Sequence, residues 1–285
     1  VHEPLKQLDY YFDKYIPKHK LIEGIKKEFI IVETEMDAVR VVMKKAHEWK
    51  PDFIGIWNIT YDIQFMINIC NKFGVDPKDI FSDPSIPENL RYFEFKKGPD
   101  KKVTESGVTK VINFEEQWHT VICPASFYFV DSACVHRYVR VGGKTIAGGY
   151  SLSNILTNDL GKEFDKLKFK DEISLSIDGI DWHRYMSKNK KLEYFIYNNW
   201  DILSMLVLDD FTTDISKTIS ILSGNSSFYI FDSGPKKLVD GMFFYFLENG
   251  YVLGSKPARV SDEKLLGLDS WMEKYNVDFY QIPGI

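Results

Sequence analysis

The sequence predicts an α/β fold, because short apolar runs of strand length alternate with stretches whose apolar residues recur at helical spacing. Glu28–Val32 (EFIIV) is followed by a capped helical pattern, and Phe53–Trp57 (FIGIW) is followed by a second one. A third apolar run, Phe127–Val130, lies further on. Strand, helix, strand, helix is the order of a sheet flanked by helices rather than of an all-α or all-β chain.

Each element has a local reason. Thr34 followed three positions later by Asp37 reads as a capping box that opens a helix, and Met36, Val39, Met43, Ala46 and Trp49 recur along it. Pro51 ends that helix, and the strand from Phe53 runs into Asn58. A helix from about Asp62 to Phe73 follows, with Gly74 at its carboxyl edge. Residues 83–118 break the pattern. Arg91–Phe95 and Val108–Phe114 flank Lys96-Lys97-Gly98-Pro99-Asp100-Lys101-Lys102, which predicts a long hairpin with a basic tip. Phe127–Val130 is a strand ended by Asp131, Val141–Gly149 is a loop, and Ser151 caps a helix through about Asp159. Helical patterning returns over Leu192–Leu222 and Pro235–Glu248. Gly224-Asn-Ser-Ser227 is the best break in the last third, dividing the chain into a domain over 1–223 and a linker with the start of a further region over 224–285.

Composition bounds the function. A chain of 285 residues with 44% hydrophobic and 15% aromatic side chains can bury one substantial core or two modest ones. Apolar runs such as Phe243–Leu247 are far shorter than the roughly 20 residues of a membrane span, so no membrane partner is expected. Three cysteines without a C-x-x-C point to reduced thiols and a cytoplasmic location. The net charge of −5 rules out a global basic field, so attraction to nucleic acid has to be local. Lys96-Lys97, Lys101-Lys102 and Lys188 to Lys191 are the basic clusters, each of which, taken alone, reads as a solvated loop.

Two motifs carry the chemistry. Asn58-Ile-Thr-Tyr-Asp62 seats a carboxylate where a buried strand gives way to a helix, a usual place for a ligand in an α/β sheet. Tyr197-Asn-Asn-Trp-Asp201, 139 positions later, puts a phenol and a carboxylate at i and i+4 on one helix face. A phenol beside a metal-binding carboxylate suits the orientation of a water.

The pair resembles the second and third exonuclease motifs, N-x(2–3)-[FY]-D and Y-x(3)-D, of family B DNA polymerases. Glu35–Met66, Gly149-Tyr-Ser-Leu152 leading to Leu160-Gly161-Lys162, and the helical passage at 233–250 resemble the corresponding segments of those enzymes. The likeness covers roughly 28–250 and is nearest to the polymerases of T4-like tailed phages. It implies a ribonuclease H-like 3′–5′ exonuclease domain, a mixed sheet flanked by helices, in which acidic side chains hold two Mg²⁺ or Mn²⁺ ions. Asp62 would hold the second ion and Asp201 would share the first. Tyr197 would hydrogen-bond the attacking water, and Asn58 would brace the motif or touch the substrate. The partners implied are a single-stranded 3′ end of DNA at a primer-template and the remaining polymerase polypeptide, in a host cytoplasm if the gene is a phage's.

One departure matters. The family's first motif, D-x-E, occurs nowhere in the chain, and Glu33-Thr-Glu35, the nearest acidic pair, sits where a helix begins and suits the helix dipole. The chain opens on Val1, and the expectation is a split subunit or fragment that starts after the first motif and stops at the palm, weak or inactive alone. The palm motifs D-x-x-S-L-Y-P, K-x(3)-N-S-x-Y-G and D-T-D are absent too. The alternatives are a free-standing 3′–5′ exonuclease and a non-catalytic module that binds nucleic acid or a polymerase. Gly142-Gly-Lys-Thr145 lacks the first glycine of a phosphate loop, since Tyr138 holds that place, and His119, His136 and His183 lack ligand spacing.

Overall fold

A computed structural model describes residues 2–104, 106–141, 144–169, 179–218, 238, 242–243 and 245–251, without the side chains of 2–6, 141 and 217–218. The chain divides into two compact units, Val1–Ser220 and Ile221–Ile285. The first is a mixed α/β body, mostly helical, with three small two-stranded sheets among its described residues.

Two short helices, α1 (His2–Tyr15) and α2 (Lys20–Glu23), lead to α3 (Glu35–Trp49), whose amino end is closed by Thr34 Oγ1 accepting from Asp37 N at 3.1 Å. Met36, Val39, Met43 and Ala46 bury one face of α3, as their spacing requires, but Trp49 on the last turn is 74% exposed. Lys50 ends the helix in the left-handed region, at φ 47°. The strand expected over Glu28–Val32 does not form: residues 25–32 have no regular structure, and Ile31 is left 74% exposed. A strand needs a neighbour for its amides and carbonyls, and among the described residues none pairs with this one.

Strand β1 (Phe53–Ile56) leads through Trp57 and Asn58 into α4 (Ile59–Lys72), which starts three residues earlier than its sequence suggests and places Asp62 in the first turn. The short α5 (Pro77–Phe81) then precedes four strands of three residues each. They are β2 (Glu94–Lys96), β3 (Lys101–Val103), β4 (Thr109–Val111) and β5 (Thr120–Ile122). The long hairpin is therefore corrected. β2 pairs with β5, and β3 with β4, so Lys101 and Lys102 lie within a strand and the turn falls at 104–108. Thr104 Oγ1 closes that turn, accepting from Val108 N at 3.1 Å.

Strand β6 (Tyr128–Asp131) lies parallel to β1 in the register Phe53↔Tyr128 to Ile56↔Asp131. Both strands end at one edge, and the helices that follow, α4 and α6 (Ser132–Val141), begin there. Ser151 caps α7 (Leu152–Asp159) as expected, accepting from Asn154 N at 3.3 Å. Helix α8 (Gly179–Asn189) carries Lys188 in its last turn, and Lys191 opens α9 (Lys191–Thr212), so most of that basic cluster is helical rather than a loop. A π-helical turn over Asp214–Thr218 follows α9. The 224–227 break lies outside the described residues, as does part of the 235–248 helix, of which residues 245–248 are helical.

The apolar interior forms separate clusters. One joins α3, α4 and α5 to β5 and β6 through Met36, Ile59, Ile63, Phe81 and Phe129. A second joins α1 to α9 through Phe12, Ile16, Ile196, Trp200 and Val207. A third, around Tyr150, Ile155, Leu156 and Leu208, packs against Trp57 and Met205. Among the described residues no helix is long and apolar enough to cross a membrane.

Candidate functional site

Asn58 is the residue before α4 and stands in the left-handed region at φ 69°, a conformation asparagine tolerates better than most. Its side chain does not cap the helix. The sharp turn lets Ile59 and Ile63 bury completely, and Asp62 between them faces outward at the carboxyl edge of the parallel strands. Tyr61 beside it is 74% exposed.

Tyr197 and Asp201 lie one turn apart on α9, held by the burial of Ile196 and Trp200 on its inner side. Tyr197 is itself 9% exposed and packs in an aromatic cluster. Trp182 of α8 meets its ring edge-on at 5.0 Å, and Tyr194 stacks on it at 5.9 Å. Burial first, and then the negative charge of Asp201, push the phenol above its ordinary range, so it stays protonated and can donate.

The two motifs converge electrostatically. Asp62 is exposed at its rim, yet burial raises its carboxyl above the ordinary value, the Asp201 charge adds to that, and the Lys166 charge opposes it. The two carboxylates therefore lie within electrostatic reach of each other. Asp201 Oδ2 accepts from Lys166 Nζ at 3.0 Å, while Asp201 Oδ1 is buried with no hydrogen-bond partner among the described residues. No hydrogen bond or ion pair reaches the Asp62 carboxylate among those residues either.

Lys166 had no sequence signal, lying in a lysine-rich stretch where no motif marks one lysine over another. Its position is built by Asp165. Trp200 Nε1 donates to the Asp165 carbonyl at 2.9 Å, and the Asp165 carboxylate accepts from Ser153 Oγ and, at 2.7 Å, from Lys166 N. Burial works against charge at Asp165, but the bonds from Ser153 and Lys166 N and the Lys168 ammonium overrule it and hold the carboxyl below its ordinary value. The Lys166 ammonium thus reaches Asp201 and lies 5.7 Å above the Tyr197 ring. Its removal has a signed effect. Lys166→Met takes away a positive charge that favours ionised Asp62, so the Asp62 carboxyl will titrate at still higher pH. Carbon-13 NMR titration of the side-chain carboxyl measures this, and an unchanged or lower midpoint would show that the lysine and Asp62 do not face each other.

A hard divalent ion asks for several oxygen ligands. The unpartnered Asp201 Oδ1 and the free Asp62 carboxylate fit part of such a set. Among the described residues no group of three or more His, Cys, Asp or Glu side chains could hold an ion, so the fit is partial. Glu35 is engaged elsewhere, accepting from Lys72 Nζ at 2.7 Å. His136 is paired with Asp159 at 2.8 Å, and His119 with Gln117 at 2.7 Å.

Asp131, which the sequence marks only as the end of a strand, sits at the same edge and is 4% exposed. Its Oδ2 accepts from Ile59 N at 3.1 Å, and its Oδ1 from Ala133 N at 3.1 Å and Cys134 N at 3.2 Å. Burial pushes its carboxyl up to about 6 against the pull of those three amides. No family model, no curated protein and no solved structure matches the chain.

Proposed function

We propose that the chain is the 3′–5′ exonuclease portion of a family B DNA polymerase, ribonuclease H-like in fold, that removes mispaired nucleotides from a DNA 3′ end. The observation that carries this is that the Asp201 charge raises the Asp62 carboxyl, although their motifs lie 139 positions apart. Asp62 and Asp201 would hold Mg²⁺ or Mn²⁺, which when bound polarises the scissile phosphate and lowers the pKa of the attacking water. The protonated Tyr197 phenol donates to that water or to the phosphate. The Lys166 ammonium, held beside Asp201, offsets phosphate charge. Exposed Tyr61 and Phe65 offer ring faces on which an unpaired 3′ nucleotide can stack, and Asn58 at the turn braces the motif.

The raised Asp62 carboxyl sets the direction of the pH dependence. A proton must leave Asp62 before an ion can bind it, so affinity for Mn²⁺ strengthens as pH rises through that raised value. Hydrolysis of a 3′-labelled oligonucleotide with Mn²⁺, in the presence of a polypeptide carrying a D-x-E strand, tests the reading. In that assay Tyr197→Phe will slow turnover far more than it weakens strand binding. Lost binding with turnover kept would make the phenol a packing group.

A second reading is favoured by the partial acidic set. With no third acidic ligand among the described residues, the chain would bind a 3′ end without cutting it. Retention of a 3′ single strand that no divalent ion and no added D-x-E strand converts to product would select this reading over the first.

A further inference from the structure

We propose that Asp131 is the positioning residue of the acidic site, its carboxylate bridging the amino ends of α4 and α6 so that the first turn of α4, which carries Asp62, is held in place. The bridge is a statement about this fold, and its consequence for the site rests on the exonuclease reading.

The first amides of a helix have no acceptor within it and need one from outside. Helix α4 lacks the usual local solution, because Asn58 is left-handed and its side chain makes no capping bond. Asp131 Oδ2 supplies the acceptor for Ile59 N from 72 positions away, and Oδ1 serves the first turn of α6 at Ala133 N and Cys134 N. One negative charge therefore complements two helix dipoles at once. Burial of a carboxylate is costly unless it is hydrogen-bonded in this way, and at 4% exposure Asp131 has no recourse to water. Being raised only to about 6, it is ionised in neutral solution.

The link to Asp62 is geometric. Ile59 begins the turn in which Asp62 sits, and the complete burial of Ile59 and Ile63 fixes the rotation of α4 about its axis. Along that axis the two-residue link to β1 already limits the helix, and the Ile59 N to Asp131 bond adds a direct tie to β6, which is in register with β1. Displacements of about 1 Å in a reacting group cost on the order of a hundredfold in rate, so an anchor of this kind belongs to the working site.

The test reads Mn²⁺ binding by electron paramagnetic resonance, with the metal alone as probe, in the full chain. Asp131→Asn keeps the shape but loses one acceptor, and will weaken Mn²⁺ binding by about tenfold, as loss of an outer-shell partner commonly does. The double variant with Asp62→Asn will bind no more weakly than Asp62→Asn alone, because Asp131 acts through Asp62. Effects that multiply, or a lowered melting temperature with unchanged Mn²⁺ affinity, would reduce Asp131 to a fold-stabilising residue and overturn the proposal. A measurement on the wild-type chain keeps the bridge testable if the Asn variant does not fold. The Ile59 amide will exchange with deuterium as slowly as those of Ala133 and Cys134, and fast exchange at Ile59 alone would sink the bridge. Slow exchange at Ile59 in a chain that binds no Mn²⁺ would instead count against the exonuclease reading and leave the bridge standing.

Discussion

In the chain mixed with a polypeptide that ends in a D-x-E strand, Asp62→Ala and Asp201→Ala will each lower Mg²⁺-dependent release of nucleotides from a DNA 3′ end by on the order of a thousandfold. That factor corresponds to about 4 kcal/mol of transition-state stabilisation. The Asp201 charge reaches far enough to raise Asp62, and each removal takes a ligand from the two-ion set that the exonuclease reading requires. The chain alone will be a poor nuclease, since an ion held by two carboxylates binds weakly and orients water loosely. Strong activity from the purified chain, abolished by Asp62→Ala, would mean that other side chains complete the site. Full activity of the mixture with Asp62→Ala would end the nuclease reading.

Trp200→Ala will destabilise the chain by about 3–5 kcal/mol, the usual cost of deleting a fully buried tryptophan. For a unit of this size that lowers the melting temperature by roughly 10 °C. The loss has a second part, because Trp200 Nε1 holds the Asp165 carbonyl, and Asp165 delivers Lys166. Without the indole the Lys166 loop loses its tie to α9, so the ion pair with Asp201 will loosen even well below the melting temperature. Thermal denaturation followed by circular dichroism reads the first effect, and the Asp62 carboxyl titration moving as it does in Lys166→Met reads the second. A change below about 1 kcal/mol would show that the cavity collapses around the smaller side chain.

What the sequence makes legible is what local chemistry decides. Thr34 and Ser151 announce their helices because a hydroxyl caps amides within its own turn. Strand β1 and its exit into the Asn58 turn follow from an apolar run that ends abruptly. Strand pairing is decided by distant partners, and there the sequence misleads. Glu28–Val32 has strand composition without a neighbour, and the segment ending at Phe95 finds β5 rather than the chain just beyond its lysines. The sequence ends β6 at Asp131 but gives no sign of helix α6, whose first amides donate to the Asp131 carboxylate. Within the site, Asp62, Tyr197 and Asp201 are visible because a motif names them. Lys166 and Asp131 are invisible because a lysine in a lysine-rich loop and an aspartate after a strand carry no local sign of what they touch across the fold.

The division of the interior into separate clusters bears on how the chain responds to mild perturbation. Asp62 stands on the body packed around α3 and α4, whereas Tyr197 and Asp201 stand on the body packed around α1 and α9. The third cluster, against which Trp57 and Met205 both pack, lies between them, and Trp57 Nε1 donates to the Tyr150 carbonyl at 3.0 Å. The gap between the acidic groups is thus set across separate apolar clusters of one compact unit. Local loosening there costs less than global unfolding, and the ion pair of Arg140 with Asp214 at 2.9 Å resists it. Low concentrations of denaturant will therefore bring the raised Asp62 carboxyl back toward its ordinary value before circular dichroism shows any loss of helix.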